Sequence, residues 1–280
     1  MRIDSRIKIL NIGDQNWKKK IISFSQEQED LILFNFLDNI DKGFYIDVGA
    51  NDPWNGSITK LFYNLGWSGI NIEPLPDMYE ELCKDRSRDI NINLGAGSKE
   101  ETLELYVAGG LSTFDKGTAE ANNIFLESEK KISVKIKPLT DIINENINTK
   151  NTEIHFCKID VENFEKEVLK GIDLDSIRPW IFSIESTIPY TKIPTYTEWE
   201  DILLDNGYYL LCNHGVSRYY ADKSKKKMFE NKNFEKLKDS YEIYYVLEKS
   251  SKAYAIVKFI RKHIISLTDL YYRIRHLKIN

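Results

Sequence analysis

The stretch Phe44-Tyr-Ile-Asp-Val-Gly-Ala-Asn-Asp52 decides the fold predicted for this chain. Its opening residues are mostly apolar and β-branched or aromatic, which is typical of a buried parallel strand. The run ends in an acid and a glycine, so the strand is expected to pass through a tight turn into a helix. A second apolar run of the same character, Ile70 to Ile72, ends in a single carboxylate, Glu73.

The spacing of these residues indicates a site for an adenosyl ribose. Glu73 comes 24 residues after Gly49. In open α/β sheets an acid at this place accepts the ribose hydroxyls, and the glycine lets the ligand approach the backbone. The full G-x-G-x-x-G pattern is missing, and the loop Asn51-Asp-Pro53 offers few donors to a pyrophosphate. A ligand with an adenosine and no phosphates is therefore favoured, namely S-adenosylmethionine.

Strand and helix patterns alternate along the chain, which predicts a doubly wound α/β sheet. The predicted strands cover residues 44–48, 67–72, 90–94, 102–107, 133–136, 154–159, 180–185 and 208–212, and the predicted helices residues 59–65, 76–85, 139–143, 162–169 and 198–205. Ser25-Gln-Glu-Gln28 has the pattern of a capping box and is expected to open a further helix. Gly95-Ala-Gly97 is predicted to form the turn after the third strand.

A set of motifs occurs in a fixed order from about Ser25 to Tyr220: Ser25-Gln26, Asp47-Val-Gly-Ala-Asn51, Gly66-Trp67, Ile72-Glu-Pro74, Lys158-Ile-Asp-Val-Glu162 with Glu165, Leu169 and Gly171, Ile184-Glu185, and Gly215-Val-Ser-Arg-Tyr-Tyr220. In these motifs the chain resembles the FkbM-type family of S-adenosylmethionine-dependent methyltransferases. The resemblance implies a mostly parallel, seven-stranded, Rossmann-like methyltransferase sheet. It also implies small or carbohydrate acceptors, often in the assembly of bacterial surface glycans.

Two places depart from the family's pattern. Asn163 stands where a glycine usually follows Asp-Val-Glu, and asparagine tolerates the left-handed backbone that this turn needs. His214-Gly-Val-Ser-Arg218 stands where Asp-Gly-Leu-Asn-Arg is expected. Arg218 and Tyr220 are predicted to bind the substrate, since an arginine beside tyrosines can grip a phosphate or a sugar. The alternative is an arginine paired structurally with an acid.

The predicted donor-binding residues lie at the ends of the first four core strands. They are Asp47, Gly49, Asn51, Glu73, Pro74, Gly95, Ala96 and Asp160. Glu73 is the best supported, because a carboxylate that ends an apolar strand needs polar partners. Asp47 has the alternative role of capping the following helix, and Asn51 that of a turn residue. Gly95 and Ala96 are expected to recognise the adenine through their backbone.

The predicted catalytic residues are Asp160, Glu162, Glu185 and His214. The three carboxylates stand at adjacent strand ends, where mutual repulsion raises at least one pKa or recruits a cation, and one of them could serve as general base. The alternative is that Asp160 caps the next helix and Glu162 lies in its first turn. His214, before Gly215, is a second candidate base. No ligand spacing supports a metal, so no metal site is predicted.

Composition narrows the class of protein. The net charge of −4 over 280 residues gives no whole-molecule basis for binding nucleic acid. Cys83, Cys157 and Cys212 are far apart and include no C-x-x-C pair, so a reducing compartment is expected and neither a disulfide nor a zinc site. No apolar leader and no stretch of about 18 apolar residues is present, which favours a cytoplasmic protein.

The predicted organisation is an N-terminal arm at residues 1–24, a methyltransferase domain at 25–248 and a basic amphipathic helix at 249–280. Apolar residues recur three and four apart in this last segment, among eight bases and one acid. One interpretation is a helix that packs on its own domain or forms a homodimer through residues 252–278. The other is a peripheral contact of these residues with an anionic membrane at its inner face.

The function predicted from these patterns is O-methylation of a carbohydrate hydroxyl with S-adenosylmethionine as donor. The acceptor could instead be a nitrogen or a carboxylate of a small molecule. A second class of function is a non-catalytic binding module with the same fold, although Asp47, Gly49 and Glu73 are all kept. A nucleic-acid methyltransferase is disfavoured, because Asp160-Val-Glu-Asn163 lacks the aromatic residue that stacks on a flipped base.

Overall fold

The computed structural model of the chain describes residues 19–121, 131–188 and 193–245. Two compact units divide these residues: one takes the described parts of 1–41, 54–66 and 231–280, and the other those of 42–53 and 67–230. Most of the predicted arm and all of the predicted helix 249–280, with its contact surface 252–278, lie outside the described residues. The predicted domain boundaries and these contacts stay predictions.

The described residues contain twelve strands and nine α-helices. The strands are β1 (Lys19–Ser23), β2 (Phe44–Val48), β3 (Ser68–Ile72), β4 (Ile90–Ile92), β5 (Gly95–Gly97), β6 (Glu101–Tyr106), β7 (Lys131–Pro138), β8 (Phe156–Ile159), β9 (Ile181–Glu185), β10 (Tyr208–His214), β11 (Ser217–Asp222) and β12 (Tyr241–Tyr245). The helices are α1 (Glu29–Leu37), α2 (Thr59–Asn64), α3 (Pro76–Asp85), α4 (Lys116–Ala121), α5 (Leu139–Asn146), α6 (Glu165–Lys170), α7 (Glu200–Asp205), α8 (Lys226–Phe229) and α9 (Phe234–Ser240). None of the helices in this part of the chain is long and apolar enough to cross a membrane.

The second unit is built on a seven-stranded sheet with the order β4-β3-β2-β8-β9-β11-β10. Neighbours from β4 to β9 run parallel, and β11 runs antiparallel to both β9 and β10. The predicted mostly parallel α/β sheet is therefore confirmed. The chain moves outward from β2 to β4 and then returns to β8 on the other side of β2. The β2–β8 junction is thus a topological switch point, where ligands of such sheets bind.

The central strands are apolar because helices and loops cover both faces of a parallel sheet. The buried side chains of this core include Ile46, Val48, Ile70, Ile72, Ile159 and Ile184. Burying one such side chain contributes about 1.5–3 kcal/mol to folding. The core therefore fixes where each central strand ends, and with it the residues that follow each end.

The prediction that Gly95-Ala-Gly97 forms a turn is wrong. These residues form β5, which pairs in parallel with β7 in a separate three-stranded sheet with the order β5-β7-β6. A Cβ at Gly95 would lie 2.6 Å from the Ile136 Cδ1 atom, and one at Gly97 would lie 2.6 Å from Ile136 Cγ2. Glycine is needed at these positions because Ile136 of the neighbouring strand β7 packs against them. From the local sequence alone, such a glycine-rich strand looks the same as a turn.

The helix predicted from residue 162 begins only at Glu165. Before it, Glu162 and Asn163 both have left-handed backbone, with φ of 54° and 73°. The left-handed conformation expected at Asn163 is confirmed. Glu162 is not in the first turn of α6, and Asp160 does not cap it, since Phe164 is the N-cap residue and makes no side-chain bond. The alternative structural roles of these two acids are thereby excluded.

The first unit contains α1, α2, α9 and a parallel pair of strands, β1 and β12. The predicted capping box at residues 25–28 is wrong: Gln28 precedes α1 with φ of 69° and makes no capping bond. Instead, the buried carboxylate of Asp30 accepts hydrogen bonds from the Ser23 and Ser25 hydroxyls and from the Phe24 N–H, at 2.7–2.8 Å. Ser25 therefore binds an acid in the first turn of the helix.

Candidate functional site

The carboxyl ends of four neighbouring strands meet at one edge of the seven-stranded sheet, in the second unit. Glu73 follows β3, Gly49 follows β2, Asp160 follows β8 and Glu185 ends β9. The Gly49 N–H donates to the Ile72 carbonyl at 3.0 Å, and the Asp160 N–H donates to the Val48 carbonyl at 3.1 Å. The structure thus brings predicted residues from four separate motifs to the edge that holds the switch point.

Gly49 is required by the turn after β2. Its φ is +76°, a conformation that side chains of L-residues rarely adopt. A Cβ at this position would also lie 2.0 Å from the Asp160 carbonyl oxygen. The chain can therefore pass this close to β8 only with a glycine at this position.

Glu73 is held by two backbone donors. Its Oε2 accepts from the Asn51 N–H at 2.7 Å and its Oε1 from the Leu75 N–H at 2.8 Å. The residue is only 3% exposed, and this burial raises the pKa of its carboxyl to about 7 although the two backbone bonds lower it. A carboxylate can accept about four hydrogen bonds, so these two backbone donors leave about two acceptor positions of Glu73 unused.

Asn93 connects the end of β4 with the residues around Glu73. Its amide donates to the carbonyl oxygens of Glu73 and Pro74, at 2.9 and 3.1 Å. Pro74 directly follows the acid and leads into α3. Gly95 and Ala96 are buried in β5, so their predicted contact with adenine stays a prediction.

Lys158 is the residue at this edge that sequence reasoning missed. Its Nζ lies 3.2 Å from Asp47 Oδ1 and 3.5 Å from Asp160 Oδ2, and donates to the Gly49 carbonyl at 2.6 Å. Burial lowers the pKa of Lys158, but the two acids more than offset this and raise it. The available signal was a lysine inside the apolar strand β8. Asp47 is thus an ion-pair partner that fixes the Lys158 ammonium group beside the turn after β2.

Three carboxylates lie together at the ends of β8 and β9: Asp160, Glu162 and Glu185, named here the carboxylate cluster. One oxygen of each lies within 4.8 Å of an oxygen of the others. Burial, and next the charge of Asp160, raise the pKa of Glu162 to about 8 and that of Glu185 well above its usual range. The repulsion predicted from the sequence is therefore present in the structure.

The family comparison agrees with this geometry. The sequence model of the methyltransferase FkbM domain matches residues 47–210. The chain belongs to the FkbM methyltransferase family. The matched residues begin at Asp47 and include Glu73, Lys158 and the carboxylate cluster, while His214, Arg218 and Tyr220 fall beyond them. A comparison with curated proteins found no match.

The segment of this methyltransferase from the end of β6 into α4 braces the cluster. The buried Thr113 hydroxyl donates to the Glu162 carbonyl at 2.6 Å, and the Asn163 amide donates to the Thr118 hydroxyl at 2.9 Å. A Cβ at Gly110 would lie 3.2 Å from the Asn51 amide nitrogen. The segment therefore reaches from the turn after β2 to the left-handed turn after β8.

Glu165 supports the same turn from the helix side. Its carboxylate accepts from the Val161 N–H at 3.0 Å. Burial raises its pKa to about 7, although its backbone hydrogen bonds lower it. The left-handed turn at 162–163 is thus fixed from α6 as well as by Thr113.

The methyltransferase places the remaining predicted residues farther along the sheet. His214 ends β10, and β11 lies between β10 and β9. Strands β9 and β10 are therefore about 10 Å apart. His214 is not a member of the carboxylate cluster. Arg218 donates to Glu200 at 2.7 Å and stacks over Tyr196, 3.6 Å from its ring centroid. The buried Tyr220 donates to the same acid at 2.8 Å. Arg218 is thus paired with an acid, and substrate contacts of both residues stay predictions.

A cavity of about 710 Å³ lies at the opposite side of the sheet, at the amino ends of the parallel strands β8 and β9. Its lining includes Ile154 and Trp180, which precede β8 and β9, together with Arg178 and Lys225. Ligands of open α/β sheets bind beyond the carboxyl ends of the strands. We therefore assign the functional site of the methyltransferase to the edge with Glu73 and the carboxylate cluster.

Proposed function

We propose that this chain transfers a methyl group from S-adenosylmethionine to a hydroxyl of a carbohydrate, within a Rossmann-like methyltransferase sheet. The observation that carries the proposal is the Glu73 carboxylate, oriented by the Asn51 and Leu75 N–H groups beside the glycine turn after β2. Its two remaining acceptor positions fit a ribose diol. A ligand with an adenosine and no phosphate matches a turn that offers few N–H donors.

Three residues, named here the donor end, would hold the methyl donor. Glu73 accepts the ribose hydroxyls, Gly49 admits the ligand to the backbone, and Asn51 is available to the carboxylate of the methionine part. Asn51 has φ of 48°, so its position in the turn is fixed by the same backbone that places its N–H on Glu73. The donor, when bound, supplies a methyl group that its sulfonium has already activated.

The carboxylate cluster supports a hydroxyl as the methyl acceptor. A hydroxyl must lose its proton during transfer, and a carboxylate whose pKa is raised toward neutrality is a suitable proton acceptor. Burial and the neighbouring acids place the pKa of Glu162 at about 8. A carboxylate acceptor would need no base. The protein's other contribution is alignment of the acceptor, which can supply about 7–11 kcal/mol.

A carbohydrate is the proposed acceptor because of the resemblance to the FkbM-type family. The carboxylate cluster is also suited to this class, since carboxylates bind sugar hydroxyls through hydrogen bonds. Turnover with a panel of hydroxyl, amine and carboxylate acceptors tests this part, with S-adenosylhomocysteine as the measured product. Methylation confined to amines or carboxylates would contradict it.

Calorimetric titration of S-adenosylhomocysteine tests the donor end directly. We expect micromolar binding to the wild type and about 100-fold weaker binding to Glu73→Ala, because two charge-assisted hydrogen bonds are lost. Glu80→Ala is the control, since Glu80 is an exposed residue of α3. Equal affinity in all three proteins, or no binding to a folded wild type, would rule out the donor site.

A further inference from the structure

The carboxylate cluster is short of partners within the part of the chain that the structure describes. The Oε2 atoms of Glu162 and Glu185 are both buried and accept no hydrogen bond from any described residue. Glu162 is only 9% exposed, and one of its oxygens lies within 4.8 Å of oxygens of Asp160 and Glu185. A buried, unpartnered carboxylate that is directed at two others is costly, so the arrangement favours a ligand.

The protein's own cation does not neutralise these acids. Among the described residues, Lys158 is the base that forms an ion pair with the cluster, and it reaches only Asp160 Oδ2, at 3.5 Å. The same Nζ is closer to Asp47 and donates to the Gly49 carbonyl. Lys158 is therefore engaged on the β2 side, and Glu162 and Glu185 keep their charge or a proton.

We propose that Asp160, Glu162 and Glu185 together bind one hard divalent cation. All three offer carboxylate oxygens and no nitrogen or sulfur, which favours magnesium, manganese or calcium over zinc. Oxygens on opposite sides of a calcium ion, at about 2.4 Å each, are about 4.8 Å apart, and the corresponding span around magnesium is about 4.2 Å. Because the three oxygens lie within 4.8 Å of one another, small side-chain movements suffice to bring all of them to one ion.

The carboxylate cluster is partly open to solvent at Asp160, and Glu162 is held in place on the other side. Asp160 has a side chain that is 43% exposed, so coordination positions on its side remain for water or for an acceptor. Glu162 stands on the left-handed turn that Thr113 braces through the Glu162 carbonyl. The cluster is therefore suited to hold an ion and leave it accessible. Glu162 lies on the braced turn, Glu185 lies at the end of β9, and Asp160 is partly exposed.

A cation at this place gives the acceptor hydroxyl a second way to lose its proton. Coordination to a metal would lower the pKa of a bound hydroxyl, so its proton could pass to solvent water on the exposed Asp160 side while the carboxylates hold the ion. This catalytic role rests on the proposed function, whereas binding of the ion does not. The test therefore measures metal binding without donor or acceptor.

The experiment is a titration of the full chain with Mn²⁺, in which electron paramagnetic resonance measures the free ion. We expect one bound Mn²⁺ per chain, displaced by Mg²⁺ and Ca²⁺ but not by Na⁺. Glu162→Gln and Glu185→Gln should each weaken binding at least tenfold. Glu145→Gln is the control, because Glu145 is an exposed acid paired with Lys137 in the same unit, and it should bind as the wild type does.

Three results would overturn the proposal. The first is that no Mn²⁺ binds to the folded wild type at about 1 mM, a concentration at which even weak protein sites fill. The second is that Glu162→Gln and Glu185→Gln both bind Mn²⁺ with the affinity of the wild type. The third is that neither Mg²⁺ nor Ca²⁺ displaces the bound Mn²⁺. Circular dichroism in chelator shows whether the variants fold, and the displacement by Mg²⁺ and Ca²⁺ needs only the wild type. Binding of S-adenosylhomocysteine without Mn²⁺ binding defeats this proposal alone. The reverse outcome leaves it standing and defeats the donor site.

Discussion

The donor end and the carboxylate cluster occupy the same sheet edge but satisfy their acids in opposite ways. At the donor end, each oxygen of Glu73 accepts a backbone N–H. In the cluster, the Oε2 atoms of Glu162 and Glu185 accept none from the described residues. Burial raises the pKa of the acid in both places. At the donor end each oxygen of the acid therefore has a protein donor, whereas the Oε2 atoms of the cluster need a proton or a ligand as partner.

Gly49→Ala should have the largest effect on stability, because the donor end depends on a turn that only glycine can form. The variant combines a positive φ with a Cβ placed 2.0 Å from the Asp160 carbonyl oxygen. Each of these costs about 1–3 kcal/mol, so we expect a loss of roughly 3–5 kcal/mol. Chemical denaturation measures it.

Gly109→Ala separates the two causes of this loss. Gly109 has φ of +61°, and a Cβ added there would have nothing within 4 Å, so its replacement should cost only the conformational strain, about 1 kcal/mol. Equal losses in the two variants would show that the close approach of β2 and β8 does not constrain Gly49.

Removing one charge should have opposite effects on stability at the two places. Glu73→Gln turns an amide NH₂ toward a backbone N–H and leaves that buried donor without an acceptor, which costs about 1–3 kcal/mol. Glu162→Gln removes a buried carboxyl whose charged form is disfavoured by burial and by Asp160, and it breaks no hydrogen bond made by its side chain. We expect it to raise the free energy of unfolding by about 1 kcal/mol in metal-free buffer.

Denaturation of both Gln variants in chelator checks this difference in sign. A loss of stability in Glu162→Gln comparable to that of Glu73→Gln would mean that the cluster has protein partners of its own. Adding Mn²⁺ should make the wild type more stable than Glu162→Gln, because the wild type gains stability from a bound ion and this variant gains less.

The affinity for S-adenosylhomocysteine should depend on pH through Glu73. Burial places the pKa of this carboxyl at about 7 in the free protein, and ribose hydroxyls donate to its ionised form. Affinity is therefore full above pH 7 and falls as the acid takes up a proton below it. Between pH 8 and pH 6 the ionised fraction, and so the affinity, should fall about tenfold.

Calorimetry at several pH values measures this dependence. Glu73→Gln cannot ionise, so its weaker affinity should change little over the same range. A wild-type affinity that is constant from pH 6 to pH 8 would place the ribose away from Glu73.

The donor end was predictable because its residues are close in sequence. A short apolar strand, a glycine and an acid after the next strand specify β2, β3 and Glu73 without knowledge of distant contacts, and the bounds of β2 and α3 are confirmed as predicted. The partners of Glu73 were not predicted. Their N–H groups come from Asn51 and Leu75, and no side-chain pattern marks a backbone donor.

Errors occurred where a distant element decides the local conformation. Gly95 lies in a strand because Ile136 of β7 needs the space, and Ser25 binds Asp30 where a capping box was expected. Lys158 was missed because its role depends on Asp47, 111 positions away in the chain and adjacent in the sheet. The arrangement of the cluster likewise depends on the pairing of β8 with β9 and on the left-handed turn at Glu162.

Thr113→Val should have a small effect on stability and tests whether the turn at Glu162 is held by the segment that contains Thr113. Valine keeps the shape of threonine but removes the hydroxyl that donates to the Glu162 carbonyl and accepts from the Asp115 N–H. We expect a loss of about 1 kcal/mol in stability. Because the turn orients Glu162, Mn²⁺ affinity should fall while S-adenosylhomocysteine affinity does not. Thr102→Val, at an exposed position of β6, is the control. A loss of donor affinity equal to that of metal affinity would mean that the segment with Thr113 supports both ends alike.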